Sequence, residues 1–312
     1  MATFYILIYV KIELVNEFEI INIIKNQIGS EYIGDDCAYL KDLDIVITQD
    51  SLIENIHFKR DWYSPYQLGY KSVAVNISDV LASGAEPLYV TISLSLPDNL
   101  DNEFIKDFYQ GAKRAFKNLK IVGGDITGSK SDIFISIAAI GITKGRNISS
   151  RKYARKGYII ITKGNHGSSA LGLQKLQQNE YDEELIKAHL EPHLEYEFSK
   201  AISTTVKEKY AMMDTSDGIA DALFKIAKAS NVSLIVDYNK IPHIKNINKR
   251  EVLFGGEDYK LVAVIPKKYF KSIPDAVMIG YVEQFNDFYI DISGDRYHNY
   301  SELKVFNHFG DT

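Results

Sequence analysis

The sequence predicts a mixed α/β protein (α/β or α+β class) that is built from two domains. Short apolar runs typical of strands occur along the whole chain and alternate with segments of helical periodicity. The 312 residues correspond to two domains at about 150 residues per domain. A polar, basic stretch from Lys144 to Lys156 separates two halves of similar length. We therefore expect one domain at 1–145 and a second at 146–312.

The chain begins with an apolar run, Phe4 to Val10, which is shorter than the span of about 20 residues that a bilayer requires. No basic residue precedes this run and Lys11 follows it directly, so a signal peptide is not indicated. We interpret the run as a strand or a terminal packing segment and expect a cytoplasmic protein. Asn16 can cap a helix that follows, in which isoleucines recur at helical spacing. These are Ile20, Ile21, Ile24 and Ile28.

The remaining elements follow from the same two patterns. Apolar runs predict strands at 45–47, 89–96, 133–142, 158–162 and 232–236. Helical spacing predicts helices at 66–83, 104–116 and 217–229. Gly84 stands directly after the first of these helices and is typical of a helix C-terminus.

Composition and charge exclude several classes of protein. Apolar residues make up 46% and charged residues 25%, which is typical of a globular protein and not of a disordered chain, a collagen or a coiled coil. The net charge of −5 argues against a binder of nucleic acid or of a membrane surface. Cys37 is the single cysteine, so an internal disulfide and a cysteine zinc cage are excluded.

Acidic residues recur beside glycines or at the ends of apolar runs. They are Asp35, Asp36, Asp50, Asp125, Asp214, Asp217, Glu257 and Asp258. Carboxylates near a core repel one another and are unfavourable to ionise without a compensating cation. Because Mg²⁺ takes oxygen ligands and bridges to phosphates, a shared magnesium site would remove this conflict. The alternative for each motif taken alone is ordinary turn chemistry, in which Asp-Gly pairs are common.

The helix predicted at 66–83 carries an unusual polar stripe. Ser72, Asn76, Asp79 and Ser83 follow one another at steps of four, three and four residues, so they share one face. A solvated face usually carries Lys and Glu, whereas these are small polar groups flanked by Val and Ala. The stripe indicates a buried polar face directed at a site, and a partly exposed helix is the alternative.

Common phosphate-binding and catalytic motifs are absent from the sequence. Neither G-x-x-x-x-G-K-[ST] nor G-x-G-x-x-G occurs, so a protein of this sequence that uses ATP must bind it through metal ions and backbone amides. The basic residues between Lys144 and Lys163 are better explained by phosphate contact in a pocket than by nucleic-acid binding. His189 and His193 are four apart, but Pro192 between them indicates a helix end and disfavours a zinc site.

Six motifs in order resemble the thiamine-monophosphate kinase family of the aminoimidazole-ribonucleotide-synthetase-like superfamily. They lie at 34–38, 50–58, 76–87, 123–127, 214–218 and 255–259, and the resemblance extends from Gly34 to about Phe309. It implies transfer of the γ-phosphoryl group of ATP to thiamine monophosphate, with Mg²⁺ as cofactor. It also implies two α/β domains, with the N-terminal half-barrels of two copies pairing in a homodimer.

The resemblance also implies roles for individual residues. Those matched to metal ligands are Asp36, Thr48, Gln49, Asp50, Asp79, Asp125, Asp214 and Asp217. Those matched to ATP contacts are Tyr109, Gly124, Asp125, Arg151 and Ser216. Those matched to thiamine contacts are His57, Glu257 and Phe306. No general base is implied, because the attacking phosphate oxygen is already ionised at neutral pH.

Some positions depart from the family pattern and leave alternatives open. The family usually has Thr or Ser at the position of Gln49 and Met at the position of Ser83. It usually has Asp at the position of Tyr158, and an Arg-Pro sequence in the segment that contains Glu191. Gln49 leaves the number of metal ions in question. The alternatives are another ATP-dependent member of the superfamily (a selenophosphate synthetase, a ring-closing synthetase or a hydrogenase-maturation protein) or a nucleotide-binding module without catalysis.

Overall fold

The computed structural model describes residues 17–305. The predicted strand at 4–10, the cap at Asn16 and the substrate contact at Phe306 lie outside the described residues. The described helices are α1 (Glu17–Ile28), α2 (Pro65–Ser83), α3 (Asn102–Arg114), α4 (Ser168–Gln178), α5 (Glu183–Leu190), α6 (Tyr196–Thr205), α7 (Ile219–Ser230) and α8 (Lys249–Phe254). None of the helices in this part of the chain is both long and apolar enough to cross a membrane.

A five-stranded sheet forms the first half of the molecule. Its strands are β1 (Ala38–Leu40), β2 (Ile45–Ile53), β3 (Glu86–Leu96), β4 (Lys120–Gly128) and β5 (Phe134–Ile142), in the order β1-β2-β5-β3-β4. Neighbours are antiparallel except β3 and β4, which are parallel. Alternate residues of the central strands are buried against α2, as the two-residue period of a half-buried strand requires. β4 is an edge strand and is exposed along almost its whole length.

A seven-stranded sheet forms the second half. Its strands are β6 (Tyr158–Thr162), β7 (Ala211–Asp214), β8 (Val232–Val236), β9 (Leu261–Pro266), β10 (Val277–Gln284), β11 (Ile290–Ile292) and β12 (Asp295–Tyr297), in the order β12-β11-β8-β10-β6-β9-β7. The central strands β6 and β9 are almost entirely buried, and α7 packs on β7, β8 and β11. The mixed α/β class predicted from the sequence is confirmed.

Helix α2 connects the two halves. It packs on β2 and β5 of the first sheet and also contacts β7 of the second. Ser64 caps its first turn in a reciprocal pair with Gln67, and Gly84 ends it in a left-handed conformation with φ of 87°. Of the stripe predicted to be polar and buried, Ser72, Asn76 and Ser83 are indeed buried. This central position directs Asp79, the charged member of the stripe, toward both halves of the molecule.

Two glycines allow α2 and α3 to cross in backbone contact. A Cβ atom on Gly111 would lie 1.8 Å from the carbonyl oxygen of Tyr66, and one on Gly69 would lie 1.9 Å from that of Phe108. We expect Gly111→Ala to lower the free energy of unfolding by about 1–3 kcal/mol, although alanine is ordinarily the better helix former. Urea unfolding measures this change, with Gly128→Ala as a control, since no atom lies within 4 Å of that added methyl group. A Gly111→Ala variant as stable as the wild type would contradict this account of the crossing.

Candidate active site

Three aspartates from distant parts of the sequence meet at the junction of the two halves. One carboxylate oxygen from each of Asp36, Asp79 and Asp214 lies within 4.8 Å of the others. Asp36 lies in the loop before β1, Asp79 on α2, and Asp214 at the end of β7. The convergence of acids that the sequence predicted is therefore present, and we call these three residues the carboxylate cluster.

The electrostatics of the carboxylate cluster are unfavourable without a cation. Burial, followed by the charges of Asp36 and Asp50, raises the pKa of Asp214 to about 7. Burial and the charges of Asp50 and Asp214 likewise raise the pKa of Asp79 well above its ordinary value. One oxygen of Asp214, Oδ1, is buried and has no hydrogen-bond partner within the described chain, whereas Oδ2 accepts from Ser78 at 2.6 Å. A buried, unsatisfied carboxylate oxygen among acids is suited to a divalent cation.

Strand β2 adds two further oxygen-bearing residues beside the carboxylate cluster. Thr48 donates its hydroxyl hydrogen to Asp79 at 2.7 Å, and the amide of Asp50 donates to the side chain of Asn76 at 2.9 Å. The prediction that this strand ends near 47 was wrong, since β2 continues to Ile53. Its pairing with β5 is unbroken over all nine residues, so the polar sequence from Thr48 to Ser51 does not end the strand.

Gln49 is not brought to the carboxylate cluster. Thr48 and Asp50 flank it, and successive side chains of a strand point to opposite faces. Its amide nitrogen donates to the hydroxyl of Ser136 at 2.9 Å on the face of the sheet away from α2. The side chain of Gln49 therefore lies on the opposite face of β2 from Thr48 and Asp50, and its role as a metal ligand stays a prediction.

Asp125, Gly124 and Tyr109 also lie away from the carboxylate cluster. Gly124 and Asp125 are exposed on the edge strand β4, three strand positions from β2. At about 4.8 Å between neighbouring strands, this places them roughly 14 Å from Asp50 along the sheet. Tyr109 is half-buried on α3 and packs edge-on against Phe108. Within one copy of the chain, these three residues do not share the site that the other predicted residues form.

Arg151 is the cation that contacts the carboxylate cluster directly. Its guanidinium group donates to Asp36 at 2.6 Å, and its backbone amide donates to Asp35 at 2.8 Å. Although burial alone would lower the pKa of Arg151, Asp36 and Asp35 raise it above the ordinary value. The Nε atom of Arg151 is buried without a hydrogen-bond partner in the described part of the chain. The predicted basic stretch thus provides one charged group at the site.

A cavity of about 550 Å³ opens beside the carboxylate cluster, between the two halves of the molecule. Its wall from the first half includes Asp50, His57, Phe58, Trp62 and Asp79. Its wall from the second half includes Ser169, His189, Ser216, Asp217, Phe254 and Glu257. The lining of the cavity therefore combines carboxylates with aromatic rings, and both halves of the molecule contribute both kinds of group. Asp217, which was predicted as a metal ligand, forms an ion pair with Lys225 at 3.2 Å.

Glu257 is the second acidic feature of the cavity, and it has cationic and polar neighbours. Lys71 lies 3.2 Å from one carboxylate oxygen, and His189 lies 3.4 Å from the other. Burial raises the pKa of Glu257, but Lys71 and His189 more than offset this effect, so the pKa is below the ordinary value.

His57 accepts a hydrogen bond through Nδ1 from the amide of Ile53 at 2.9 Å, which sets the orientation of its ring at the cavity wall.

Sequence reasoning missed Lys71 and gave His189 a different role. His189 was considered only as half of a zinc pair, and that pair is absent because α5 ends at Leu190, before His193. Lys71 and Asp79 are the two charged residues of α2, and this composition was a usable signal. A lysine within an otherwise apolar or small-residue helix requires a buried partner, and Glu257 is that partner.

Comparisons with known proteins agree with this architecture. The model of the AIR synthase related protein N-terminal domain matches residues 34–143, and that of the AIR synthase related protein C-terminal domain matches residues 157–278. The fold and the site thus define an AIR synthase related protein. The chain is 34% identical over 300 residues to thiamine-monophosphate kinase of Aquifex aeolicus, covering 90% of this chain and 96% of the relative. It is 29% identical to the Bacillus subtilis enzyme of the same name, covering 89% and 93%.

Solved structures lead to the same assignment. A structure described as AaThiL complexed with AMPPCP and TMP superimposes with a TM-score of 0.85 at 33% identity, covering 94% of this chain and 97% of that one. A HypE–HypF complex at 20% identity and a TM-score of 0.73 shares the fold. The chain belongs to the thiamine-monophosphate kinase family, which confirms the predicted resemblance. It is accordingly an enzyme of the kinase class.

Proposed function

We propose that this chain transfers the γ-phosphoryl group of ATP to thiamine monophosphate, giving thiamine diphosphate and ADP. The observation that carries the proposal is one continuous cavity that Asp79 of the carboxylate cluster, several aromatic rings and Glu257 all line. Cations held by the carboxylate cluster would suit two phosphorylated reactants, and Glu257 with the aromatic rings suits a cationic ring. The bound ATP analogue and thiamine monophosphate of the structural relative support the same pair of reactants.

The residues at the site fit a divalent cation. Asp36, Asp79 and Asp214 would hold Mg²⁺, since their oxygens already converge and Oδ1 of Asp214 has no hydrogen-bond partner among residues 17–305. Thr48, Asp50 and Asp217 would complete the ligand set from the adjacent walls. When bound, Mg²⁺ neutralises the phosphate charges of the two reactants.

The chain's own residues then position the reactants. Arg151 and Ser216 would orient the ATP phosphates, and Arg151 also keeps Asp36 in place through their ion pair. The nucleophile is a phosphate oxygen of thiamine monophosphate, which is ionised at neutral pH, so no side chain has to remove a proton. Catalysis then consists of positioning and electrostatic stabilisation of an in-line displacement.

The thiamine group would bind at the part of the cavity that Glu257 lines. Glu257 supplies a negative charge for the thiazolium cation, and His57 and the ring of Phe58 line the same cavity from the first half of the molecule. Phe306 remains a predicted contact from outside the described residues.

A homodimer would complete the site and explain the placement of Asp125. β4 pairs with β3 alone among the described strands, and its apolar side chains Val122 and Ile126 are 57% and 60% exposed. An exposed strand edge with apolar side chains is a template for pairing with another chain. If β4 paired with the first sheet of a second copy, Tyr109, Gly124 and Asp125 of one copy would lie beside the site of the other copy. The division into domains at 1–145 and 146–312 likewise remains a proposal.

The proposal is tested by incubating the purified protein with ATP, Mg²⁺ and thiamine monophosphate and identifying the products by chromatography. Equal amounts of thiamine diphosphate and ADP are expected, with neither formed when EDTA replaces Mg²⁺. A panel of acceptors used by other superfamily members is the matched comparison. Turnover of another acceptor in place of thiamine monophosphate would overturn the proposal, and ATP binding without any turnover would indicate a nucleotide-binding module.

A further inference from the structure

Lys71 is a fully buried lysine that the proposed chemistry does not use. Its side chain has 0% exposure, and its ammonium nitrogen lies 2.8 Å from the hydroxyl oxygen of Tyr63 and 3.2 Å from Glu257. Burial lowers the pKa of Lys71, while the charge of Glu257 raises it. An ammonium group is unfavourable in a protein interior unless it is paired. A buried lysine beside a cavity carboxylate therefore requires an explanation.

Glu257 is held from two sides by this arrangement. Its Oε1 atom faces Lys71, and its Oε2 atom faces Nδ1 of His189, whose pKa burial lowers to about 4. That same Nδ1 atom lies 3.0 Å from the hydroxyl of Ser169. The backbone of Glu257 is also fixed, because its amide donates to the carbonyl oxygen of Ser216 at 2.6 Å. The side chain of Glu257 nevertheless keeps 29% exposure and lines the cavity, whereas Lys71 does not.

We propose that Lys71 is a positioning residue that keeps Glu257 charged and directed at the cationic ring of the substrate. The inference rests on the proposed function, because Glu257 is the group assigned to the thiamine moiety. Direct contact between Lys71 and a phosphate group is excluded by its complete burial. Lys71 therefore acts through Glu257, and contributes to binding of the ring and not to the chemical step.

The first test is Lys71→Met, which removes the charge and keeps a similar shape. We expect KM for thiamine monophosphate to rise at least tenfold, with kcat changed less than threefold and KM for ATP unchanged. Removing an interaction that is equally strong in the ground state and the transition state raises KM and leaves kcat unchanged. Lys268→Met is the matched control, because Lys268 is 62% exposed and pairs with Glu208 on the surface. An unchanged KM for thiamine monophosphate, or a loss confined to kcat, would overturn the proposal.

A second test separates this role from a purely structural one. Deazathiamine monophosphate has the same shape as the substrate but a neutral ring. Calorimetry should show that Lys71→Met weakens binding of thiamine monophosphate at least tenfold and leaves binding of the neutral analogue within twofold. A structural defect in the cavity would weaken both ligands equally and would contradict the inference.

A double-mutant cycle with Glu257→Gln keeps the proposal testable if Lys71→Met folds poorly. The variant with both substitutions carries no unpaired buried charge, so we expect it to fold. Its KM for thiamine monophosphate should equal that of Glu257→Gln alone, because Lys71 acts through the carboxylate. A further tenfold increase would overturn the inference. A wild-type protein that neither binds nor phosphorylates thiamine monophosphate would instead refute the proposed function itself.

Discussion

Replacing Asp214 with asparagine is expected to abolish phosphoryl transfer while making the metal-free protein more stable. Asp214 is 1% exposed, and its Oδ1 atom is buried without a hydrogen-bond partner in the described part of the chain. Loss of its charge should lower kcat by about a hundredfold to a thousandfold, which is the effect typical of removing one strong electrostatic contribution to a transition state. The same substitution removes a buried negative charge that Asp36 and Asp50 repel. Activity and stability should therefore change in opposite directions.

The stability effect has a defined dependence on pH. The pKa of Asp214 is raised to about 7 in the folded protein, above its ordinary value of 3.8. The unfolded chain therefore releases this proton more readily, and the folded state loses stability as the pH rises from about 4 to about 7. In EDTA, Asp214→Asn should be more stable than the wild type at pH 8, and the difference should shrink toward pH 5.

Urea unfolding at the two pH values measures this difference, and the kinase assay measures the activity. Asp275→Asn is the matched control, because Asp275 is 77% exposed and pairs with Lys163 at 3.2 Å. It should alter neither quantity appreciably, since exposed ion pairs contribute little to stability. An Asp214→Asn variant that stays active, or one that is less stable than the wild type at pH 8 in EDTA, would refute the electrostatic account of the cluster.

The outline of the fold was predictable because local signals agreed with tertiary packing. The periodicity of α2 and its glycine stop predicted a helix at 66–83, within one residue of the observed Pro65–Ser83. The strands predicted at 158–162 and 232–236 have the observed bounds, because buried strands appear as continuous apolar runs. The convergence of Asp36, Asp79 and Asp214 was expected from their placement beside turns and on one polar helix face.

Other features of the site could not be reached from a motif alone. The resemblance matches Thr48, Gln49 and Asp50 to metal ligands, whereas the two-residue period of β2 places the side chain of Gln49 on the opposite face from the other two. Lys71 was missed for a different reason, since its partner Glu257 is 186 positions away in the sequence and only the packing of α2 against the second half brings them together. The composition of α2 indicates that Lys71 needs a buried partner, but the identity of that partner depends on tertiary structure.

Arg151 should have the opposite effect to Asp214, because it is the cation that compensates the carboxylate cluster. Its ion pair with Asp36 is buried, with side-chain exposures of 18% and 5%. Removing one partner of a buried pair leaves an uncompensated charge, which typically destabilises a protein by about 3–5 kcal/mol. We expect Arg151→Met to lower the free energy of unfolding by that amount at pH 8 in EDTA. It should also raise KM for ATP, since the guanidinium group would orient the phosphates.

Two comparisons determine whether the loss comes from the unpaired charge of Asp36. Asp36→Asn combined with Arg151→Met should recover most of the stability, because no carboxylate is then left without its cation. Arg296→Met is the surface control, since Arg296 is 58% exposed and contacts Asp291 at 2.9 Å. It should cost less than about 1 kcal/mol. If Arg151→Met lowered the free energy of unfolding as little as Arg296→Met does, other groups would have to compensate the charge of the carboxylate cluster. The electrostatic argument that places Mg²⁺ at the cluster would then be wrong.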